Sequence, residues 1–271
     1  MCSLARLKTY FLARACTALA AQPVDRLYFN CRKKSSEFME ERGLPKDPAN
    51  IDLEEIERRF GFVVKLHRIG RMEVRVAQVD RVDDMVREIY PDAVTSHGDA
   101  PVWMITWPAA FGLAEYLLLN QRLEGMRVLE LGCGTAASGI ALERAGAQVM
   151  CTDYDPLALS MAQYNAQLNS CCSIETRFLD WYCPNLTGCF DLVVGSEVSY
   201  FDKSFRPLLS VLKNYTAPTG RIVLSDQGRP QMELFLRLCM EAGFSCCEHV
   251  QMVYLPDQSQ SIRITILTPP E

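Results

Sequence analysis

The sequence predicts an α/β fold built on a doubly wound, mostly parallel sheet of seven strands with helices on both faces. From residue 101 onward, short apolar runs alternate with helical patterns at short intervals, which is typical of such sheets. The last two apolar runs, "CCEHVQMVYL" and "SIRITILT", flank the turn-forming "PDQSQ" and predict an antiparallel hairpin at one end of the sheet. A ligand crevice is expected at the carboxyl ends of the parallel strands.

An N-terminal extension of helices and a β-hairpin precedes this sheet. The first residues are polar and helical in pattern up to "GLPKDPAN", after which Asn50 or Asp52 is placed to cap the helix "LEEIERRF". The runs "FVVKLHRI" and "MEVRVAQV" alternate in polarity and join through Gly70, which predicts a hairpin. We expect this hairpin to lie beside the ligand crevice, because the sheet supplies only one wall of a binding site. The chain is divided into a helical extension (1–60), a hairpin with its linker (61–100) and the sheet domain (101–271).

The individual elements of the sheet domain follow from the period of the apolar residues. Strands are predicted near 127–132, 148–153, 174–179, 191–196, 220–225, 247–254 and 261–267. Helices are predicted near 109–120, 137–146, 156–169, 204–214 and 231–242.

Composition and charge narrow the classes of partner. With 271 residues, 49% of them hydrophobic and 23% charged, the chain can bury one sizeable core. Its net charge of -5 provides no general field that attracts a phosphate backbone, so we expect no nucleic-acid partner. No segment reaches the ~18 consecutive apolar residues of a membrane span, so we expect no membrane association. We expect a monomer that acts on a protein or on a small molecule.

The twelve cysteines form no C-x-x-C pair, and the three histidines are widely scattered, so no metal site is expected. We expect most of the thiols to be buried small hydrophobes in a reducing cytosol. The N-terminal segment carries Arg6, Lys8 and Arg14 and no acid before Asp25. An amphipathic helix is the first interpretation, and an organelle transit peptide over residues 1–24 is the alternative to a cytoplasmic location.

The stretch "RVLELGCGTAASGIALERAGAQVMCTDYDP" joins a strand to a glycine turn, a helix and a second strand that ends at Asp153. Gly132 and Gly134 allow a sharp turn in which backbone N–H groups approach a ligand closely. Asp153, about twenty residues on, is placed to accept hydrogen bonds from ribose hydroxyls. With Ala137 these glycines also satisfy the loose dinucleotide pattern G-x-G-x-x-G/A, so this segment alone leaves the nucleoside open.

Three features favour S-adenosylmethionine over a dinucleotide. Glu130, at the end of the strand, suits a cationic aminoacyl sulfonium and would repel a pyrophosphate. The terminal antiparallel hairpin departs from the parallel strands of a dinucleotide fold. In "FLDW", Asp180 and Trp181 are suited to bonding an adenine amino group and covering its ring. The alternatives are that Asp180 caps a turn and that Trp181 packs in the core.

Residues 100–268 resemble the seven-β-strand class I methyltransferases, and among them the protein lysine methyltransferases related to those acting on chaperones and on the electron-transfer flavoprotein β subunit. The resemblance rests on "WPAAFGLAEYLL", "VLELGCGTAASGIALERAGAQV", Asp153, "LDW" and "FDLVVGSEVSYFDKSFRPLLSVL". It implies a Rossmann-like fold that uses S-adenosylmethionine. The family's cofactor contacts correspond to Trp107, Gly132, Cys133, Gly134, Asp153, Trp181 and Ser196.

The family's Asp-x-x-Tyr motif after the fourth strand corresponds here to Glu197-Val198-Ser199-Tyr200, in which the acid is one methylene longer. By this resemblance, Glu197 and Tyr200 engage the acceptor: the carboxylate orients the amine and takes or relays its proton, and the tyrosine presents its ring or hydroxyl to the same nitrogen. The alternatives are that Glu197 caps the following helix and that Tyr200 packs beneath it. The loop "SDQGRPQ" after the fifth strand is similar to a segment of the flavoprotein-directed branch.

The sequence thus supports a protein lysine methyltransferase as the leading hypothesis. A small-molecule N- or O-methyltransferase would use the same cofactor half, with the N-terminal extension as a lid. A non-catalytic cofactor-binding scaffold is the third alternative, and the presence of Glu130, both turn glycines, Asp153 and Trp181 argues against it.

Overall fold

The structure is a computed structural model that describes residues 53–89, 101–255 and 258–270. The predicted amphipathic helix or transit peptide at the N-terminus lies outside the described residues. The described part begins with helix α1 (Leu53–Phe60), whose first turn is acidic, whose last turn is basic, and whose buried residues are Ile56 and Phe60. This charge order suits the helix dipole, and the apolar pair gives the helix a face to bury.

The predicted hairpin follows helix α1. Strands β1 (Phe62–Ile69) and β2 (Met72–Val79) pair antiparallel through the turn at Gly70, which has a φ of +56°. A second short helix, α2 (Val82–Ile89), comes next and was not predicted from the sequence. Its apolar residues Val82, Met85, Val86 and Ile89 recur at helical spacing, and Met85 is fully buried, so the sequence carries a signal for this helix that the prediction missed.

The seven-stranded sheet confirms the predicted fold. Its order is β5-β4-β3-β6-β7-β9-β8. Strands β3 to β7 are parallel, whereas β9 runs antiparallel to both β7 and β8, so the last two strands form the predicted hairpin at one end. The strands are β3 (Arg127–Leu131), β4 (Gln148–Asp153), β5 (Glu175–Phe178), β6 (Phe190–Ser196), β7 (Thr216–Asp226), β8 (Ser245–Leu255) and β9 (Gln258–Thr268).

Five helices cover the two faces of this sheet. One face buries residues of α3, α4 and α5 around Leu113 and Ile140, and the other buries residues of α6 and α7 around Leu208 and Phe235. Helices α3, α5 and α7 each begin with a proline, which needs no N–H partner at that position. The helices are α3 (Pro108–Asn120), α4 (Ala137–Arg144), α5 (Pro156–Leu168), α6 (Phe205–Tyr215) and α7 (Pro230–Glu241).

The hairpin packs on the outside of helices α3, α4 and α5. Its buried residues Ile69, Val74 and Val76 belong to the same core as Leu113 and Ile140. Asn165 of α5 clamps strand β2, since its Oδ1 accepts from Ala77 N at 2.7 Å and its Nδ2 donates to Ala77 O at 3.0 Å. The division of the chain at residues 60 and 100 remains a prediction, but the described hairpin and the sheet domain share one core.

Among the described residues, no helix is long and apolar enough to cross a membrane, and no cluster of His, Cys, Asp or Glu is arranged to hold a metal ion. All nine described cysteines are free thiols. Four of them are buried, a smaller share than expected, because several lie in loops or on the edge strand β8.

Candidate active site

The predicted site residues gather at the carboxyl ends of the parallel strands. The strand order reverses between β3 and β6, which places the glycine turn after β3 beside the segment after β6. Val198 joins the two: a Cβ on Gly132 would lie 3.2 Å from its Cγ1, and a Cβ on Gly195 would lie 3.0 Å from its Cγ2. The cofactor half and the acceptor half of the predicted site are therefore in contact.

The glycine turn has the conformation that the sequence implies. Gly132 and Gly134 have φ values of +59° and +52°, which side chains rarely adopt. Cys133 is buried, its N–H donates to Thr152 O at 2.9 Å, and its carbonyl accepts from Ala136 N at 2.7 Å. Cys133 thus closes the turn with its own backbone, and its contact with a cofactor remains a prediction.

Asp153 ends strand β4 as a buried carboxylate with neutral donors. Its Oδ2 accepts from Gly134 N and its Oδ1 from Asp155 N, both at 3.1 Å. Burial raises the pKa of Asp153 to about 7, and the backbone N–H groups of Asp155 and Gly134 oppose this shift. The backbone N–H group of Tyr154 is a third donor to this carboxylate. A carboxylate has about four lone-pair positions, so these bonds leave room for a further donor such as a ribose hydroxyl. The glycine turn and Asp153 therefore fit the nucleoside predicted for them.

Glu130 lies beneath helix α4, with 2% of its surface exposed. Its Oε2 accepts from Gly139 N at 3.1 Å and from Cys151 Sγ at 3.2 Å. Burial raises the pKa of this carboxyl group above its usual value. Gly139 is required here, because a Cβ would lie 2.5 Å from Glu130 Oε2 and 2.7 Å from Cys151 Sγ. These contacts tie strand β3 to helix α4, and the predicted contact of Glu130 with a cofactor is a separate expectation.

Two residues near the glycine turn were not singled out from the sequence. Trp103 is 6% exposed, and a Cβ on Gly134 would lie 3.4 Å from its Cβ. Its Nε1 donates to Asp155 Oδ2 at 2.9 Å, while Asp155 Oδ1 caps helix α5 by accepting from Leu157 N at 2.9 Å. An Asp-Pro pair after a strand is a recognisable helix start, but no local signal connects Trp103 with that aspartate.

Asp180 and Trp181 follow strand β5, and both are half-buried. Asp180 Oδ1 accepts from Tyr182 N at 2.9 Å, which is the turn-capping role weighed as its alternative. Burial raises the pKa of Asp180, and this hydrogen bond opposes the shift. Trp181 packs against the core beneath α6 and α7, as its own alternative had it. Both residues also lie at the carboxyl edge, where their predicted contacts with an adenine ring remain untested.

Glu197 and Tyr200 follow strand β6 and Ser196. Glu197 is 7% exposed and has a φ of 55°, unusual for a residue with a side chain. Its backbone N–H donates to Ser225 O at 2.8 Å, and its Oε1 accepts from Gln227 N at 3.0 Å. Helix α6 has no side-chain cap, so the helix-capping alternative for Glu197 is wrong. Tyr200 is half-buried, with its ring 4.6 Å from that of Phe201.

Arg229, in the loop after β7, connects Glu197 with Trp107. Its Nε forms an ion pair with Glu197 Oε2, and its guanidinium carbon lies 5.7 Å from the centre of the Trp107 ring. Trp107 is half-buried at the start of α3 and donates from Nε1 to Val102 O at 2.9 Å. The sequence drew attention to the loop "SDQGRPQ" but not to this arginine, since the contact joins residues from three distant segments.

Comparisons with known proteins agree with this geometry. A family model described as lysine methyltransferase matches residues 93–241. The electron transfer flavoprotein beta subunit lysine methyltransferase of Danio rerio is 34% identical over 136 residues, 49% of this chain and 52% of the relative. EEF1A lysine methyltransferase 3 of Mus musculus is 32% identical over 145 residues, 51% of this chain and 62% of the relative. The chain thus spans about half the length of the curated relatives it matches.

A solved structure shows the same fold. Precorrin-6y C5,15-methyltransferase from Geobacter metallireducens superposes with a TM-score of 0.51, covering 64% of this chain and 93% of its own. At 12% sequence identity, this similarity concerns the fold alone.

Proposed function

This chain belongs to the lysine methyltransferase family, and from that premise we propose that it transfers a methyl group from S-adenosylmethionine to a lysine side chain of a protein. One observation carries the proposal: the glycine turn with Asp153 lies against the segment that bears Glu197 and Tyr200, with Val198 between them. The proposed nucleoside site and the proposed amine site thereby meet at one edge of the sheet.

The methyl donor is S-adenosylmethionine. In this proposal Asp153 holds the ribose, the backbone of the glycine turn approaches the aminoacyl part, and Asp180 and Trp181 border the adenine. Ser196 and Trp107 line the same edge. The bound cofactor supplies a methyl group on a positively charged sulfur, which departs as a neutral thioether. The protein's task is to align the two reactants and to suit their dispersing charge.

The acceptor amine must be neutral before it can attack, because a lysine ammonium has no free electron pair and an ordinary pKa near 10.4. Glu197 accepts a hydrogen bond from the amine and receives or relays the proton that the nitrogen loses. Tyr200 borders the same nitrogen with its ring or hydroxyl. Glu197 and Tyr200 thus act on the acceptor and not on the cofactor.

The acceptor is a protein, and the matched relatives suggest which proteins to try. Their names state that they act on the electron transfer flavoprotein beta subunit and on EEF1A. A cytoplasmic location is part of the proposal and is supported by the nine free thiols of the described residues. A location in an organelle is the alternative, and it would require that residues 1–24 act as a transit peptide.

The proposal is tested by methyl transfer from radiolabelled S-adenosylmethionine to a lysate, with the protein fraction separated from small molecules. We expect label in one or a few proteins, with mass spectrometry showing methylated lysine. Glu197→Gln and Tyr200→Phe are expected to lower this transfer by roughly 10²–10⁴-fold, as for general acid–base groups. Cofactor affinity is expected to stay near that of the wild type, and Glu197→Asp to keep partial activity.

Two results would contradict this proposal. Label confined to small metabolites would assign the protein to small-molecule methyl transfer. Cofactor binding without transfer to any acceptor would support the non-catalytic scaffold.

A further inference from the structure

Arg229 makes contacts within the proposed acceptor site that the proposed mechanism does not use. Its guanidinium is paired with the carboxylate of Glu197 on one side and faces the Trp107 ring on another. The arginine side chain is 23% exposed and that of Glu197 is 7% exposed, so the ion pair is largely shielded from water. A shielded pair of this kind interacts more strongly than a surface pair, and loss of one partner leaves a buried charge without compensation.

Side chains of strands β7 and β9 hold the loop that carries Arg229. Asp226 Oδ1 accepts from Gly228 N at 2.6 Å and from Arg229 N at 2.7 Å. Arg263 of strand β9 donates from Nε to Asp226 Oδ2 and from Nη2 to Arg229 O, both at 2.9 Å. Since Asp226 is 1% exposed, this network is part of the folded core and not a surface contact. The backbone of Arg229 is therefore fixed by contacts with strands β7 and β9 in addition to its ion pair with Glu197.

Glu197 is held from its backbone as well as from its carboxylate. Its left-handed conformation, with a φ of 55°, is strained for a residue with a side chain. The hydrogen bonds to Ser225 O and from Gln227 N maintain that conformation. With one carboxylate oxygen bonded to a backbone N–H and the other to Arg229, the side chain has one orientation.

We propose that Arg229 is the positioning residue of the acceptor site: it keeps Glu197 ionised and directed toward the acceptor amine, and the Trp107 ring keeps the guanidinium in place. This inference rests on the proposed function. Arg229 acts through Glu197 and does not itself touch the acceptor. The charged groups acting on Glu197 are Arg229, which favours the carboxylate, and Asp226, which opposes it. Because burial also opposes the ionised form, Arg229 is the group whose removal changes the balance.

The experiment compares Arg229→Gln, Arg229→Lys and a control, Arg237→Gln, whose arginine lies exposed on helix α7. The rate of methyl transfer from radiolabelled S-adenosylmethionine to the protein fraction of a lysate is measured from pH 6 to 9. We expect Arg229→Gln to lose at least about tenfold in rate and to shift the acidic limb of its pH profile to higher pH. Arg229→Lys keeps a positive charge, so we expect it to retain part of the rate and to show a smaller shift of the acidic limb. Arg237→Gln behaves as the wild type.

A double variant tests whether Arg229 acts through Glu197. If it does, Glu197→Gln with Arg229→Gln loses no more activity than Glu197→Gln alone, because the second change removes nothing further. Additive losses would overturn the inference. So would an unchanged pH profile in Arg229→Gln, or a loss of cofactor affinity by calorimetry that matches the loss of rate, which would make Arg229 a cofactor ligand.

A measurement without an acceptor separates this inference from the proposed function. The carboxyl carbon of Glu197, identified by its absence in Glu197→Gln, is titrated by ¹³C NMR in the wild type and in Arg229→Gln. A higher titration midpoint in Arg229→Gln supports the inference even if the protein fraction takes up no label, and an equal midpoint contradicts it. Label absent from all proteins with the wild type would overturn the proposed function instead.

Discussion

At the scale of single residues, Asp153 is buried, and the groups of the described residues that donate hydrogen bonds to it are neutral. The backbone N–H groups of Gly134, Asp155 and Tyr154 donate to it, and burial raises the pKa of the carboxyl group to about 7. Hydroxyl groups of a bound ribose would donate to the ionised form and lower this pKa. Cofactor binding is therefore expected to release a proton near neutral pH.

We predict that the affinity for S-adenosylmethionine increases as the pH rises from 5.5 to 7.5. The sign follows from the raised pKa: below about pH 7 the free protein holds a proton on Asp153 that binding must remove. The limiting slope is about tenfold in Kd per pH unit below pH 7. Isothermal titration calorimetry in two buffers of different ionisation enthalpy measures both the slope and the proton released. A flat profile, or an equal slope in Asp153→Ala, would rule out this role for Asp153.

At the scale of elements, the hairpin is attached to the sheet domain by two asparagines of unequal burial. Asn165 is fully buried and bonds to both backbone groups of Ala77, and its Nδ2 also donates to Thr135 O at 3.0 Å, next to the glycine turn. Asn169 is half-buried and makes the same pair of bonds to Arg75, but these bonds are exposed to solvent. The two residues therefore form a matched pair for measuring what the attachment contributes.

We expect Asn165→Ala to lower the free energy of unfolding by about 1–3 kcal/mol, because three buried backbone groups lose their partner. Asn169→Ala is expected to cost less, since water replaces its bonds. Urea unfolding measures both costs. Asn165→Ala is also expected to weaken cofactor binding through Thr135, whereas Asn169→Ala is not. Equal unfolding costs, or unchanged cofactor affinity in Asn165→Ala, would mean that the hairpin is not coupled to the glycine turn.

At the scale of the whole molecule, His67 links the hairpin to acid stability. Its ring stacks on Phe111 of α3 with ring centres 4.2 Å apart, and its Nε2 has no hydrogen-bond partner within the described part of the chain. Burial, aided by the nearby charge of Lys65, lowers the pKa of His67 to about 4. The folded protein thus holds this imidazole neutral over a range in which the unfolded chain protonates it.

The free energy of unfolding is predicted to fall as the pH drops from 6.5 toward 4. Between these values the unfolded chain binds a proton at His67 that the folded protein does not, so stability rises with pH in this window. Chemical denaturation at pH 5 and pH 7 is the measurement. His67→Phe is expected to reduce the difference between the two pH values, and His249→Gln, on the exposed edge strand, to leave it unchanged. If His67→Phe shows the same difference in unfolding free energy between pH 5 and pH 7 as the wild type, other groups cause the acid sensitivity.

The sequence by itself determined the order and type of the elements. The seven strands and the five helices of the sheet domain lie within a few residues of their predicted bounds, because apolar periodicity and turn residues are local signals. The positions of Gly132, Gly134 and Asp153 at strand ends followed from the same signals, since the carboxyl ends of parallel strands meet at one edge. Glu197 and Tyr200 were identified from the resemblance to the methyltransferase family. Helix α2 was missed although Val82, Met85, Val86 and Ile89 recur at helical spacing.

Only the tertiary structure decided which side chains meet. The ion pair of Arg229 with Glu197, the contact of Trp103 with Asp155 and the clamp of Asn165 on strand β2 join residues 32, 52 and 88 positions apart. No local pattern encodes such pairs, because they depend on the order of strands in the sheet and on the packing of helices across it. The sequence thus located the edge of the sheet where the chemistry is proposed, and the fold determined the partners that set its charge.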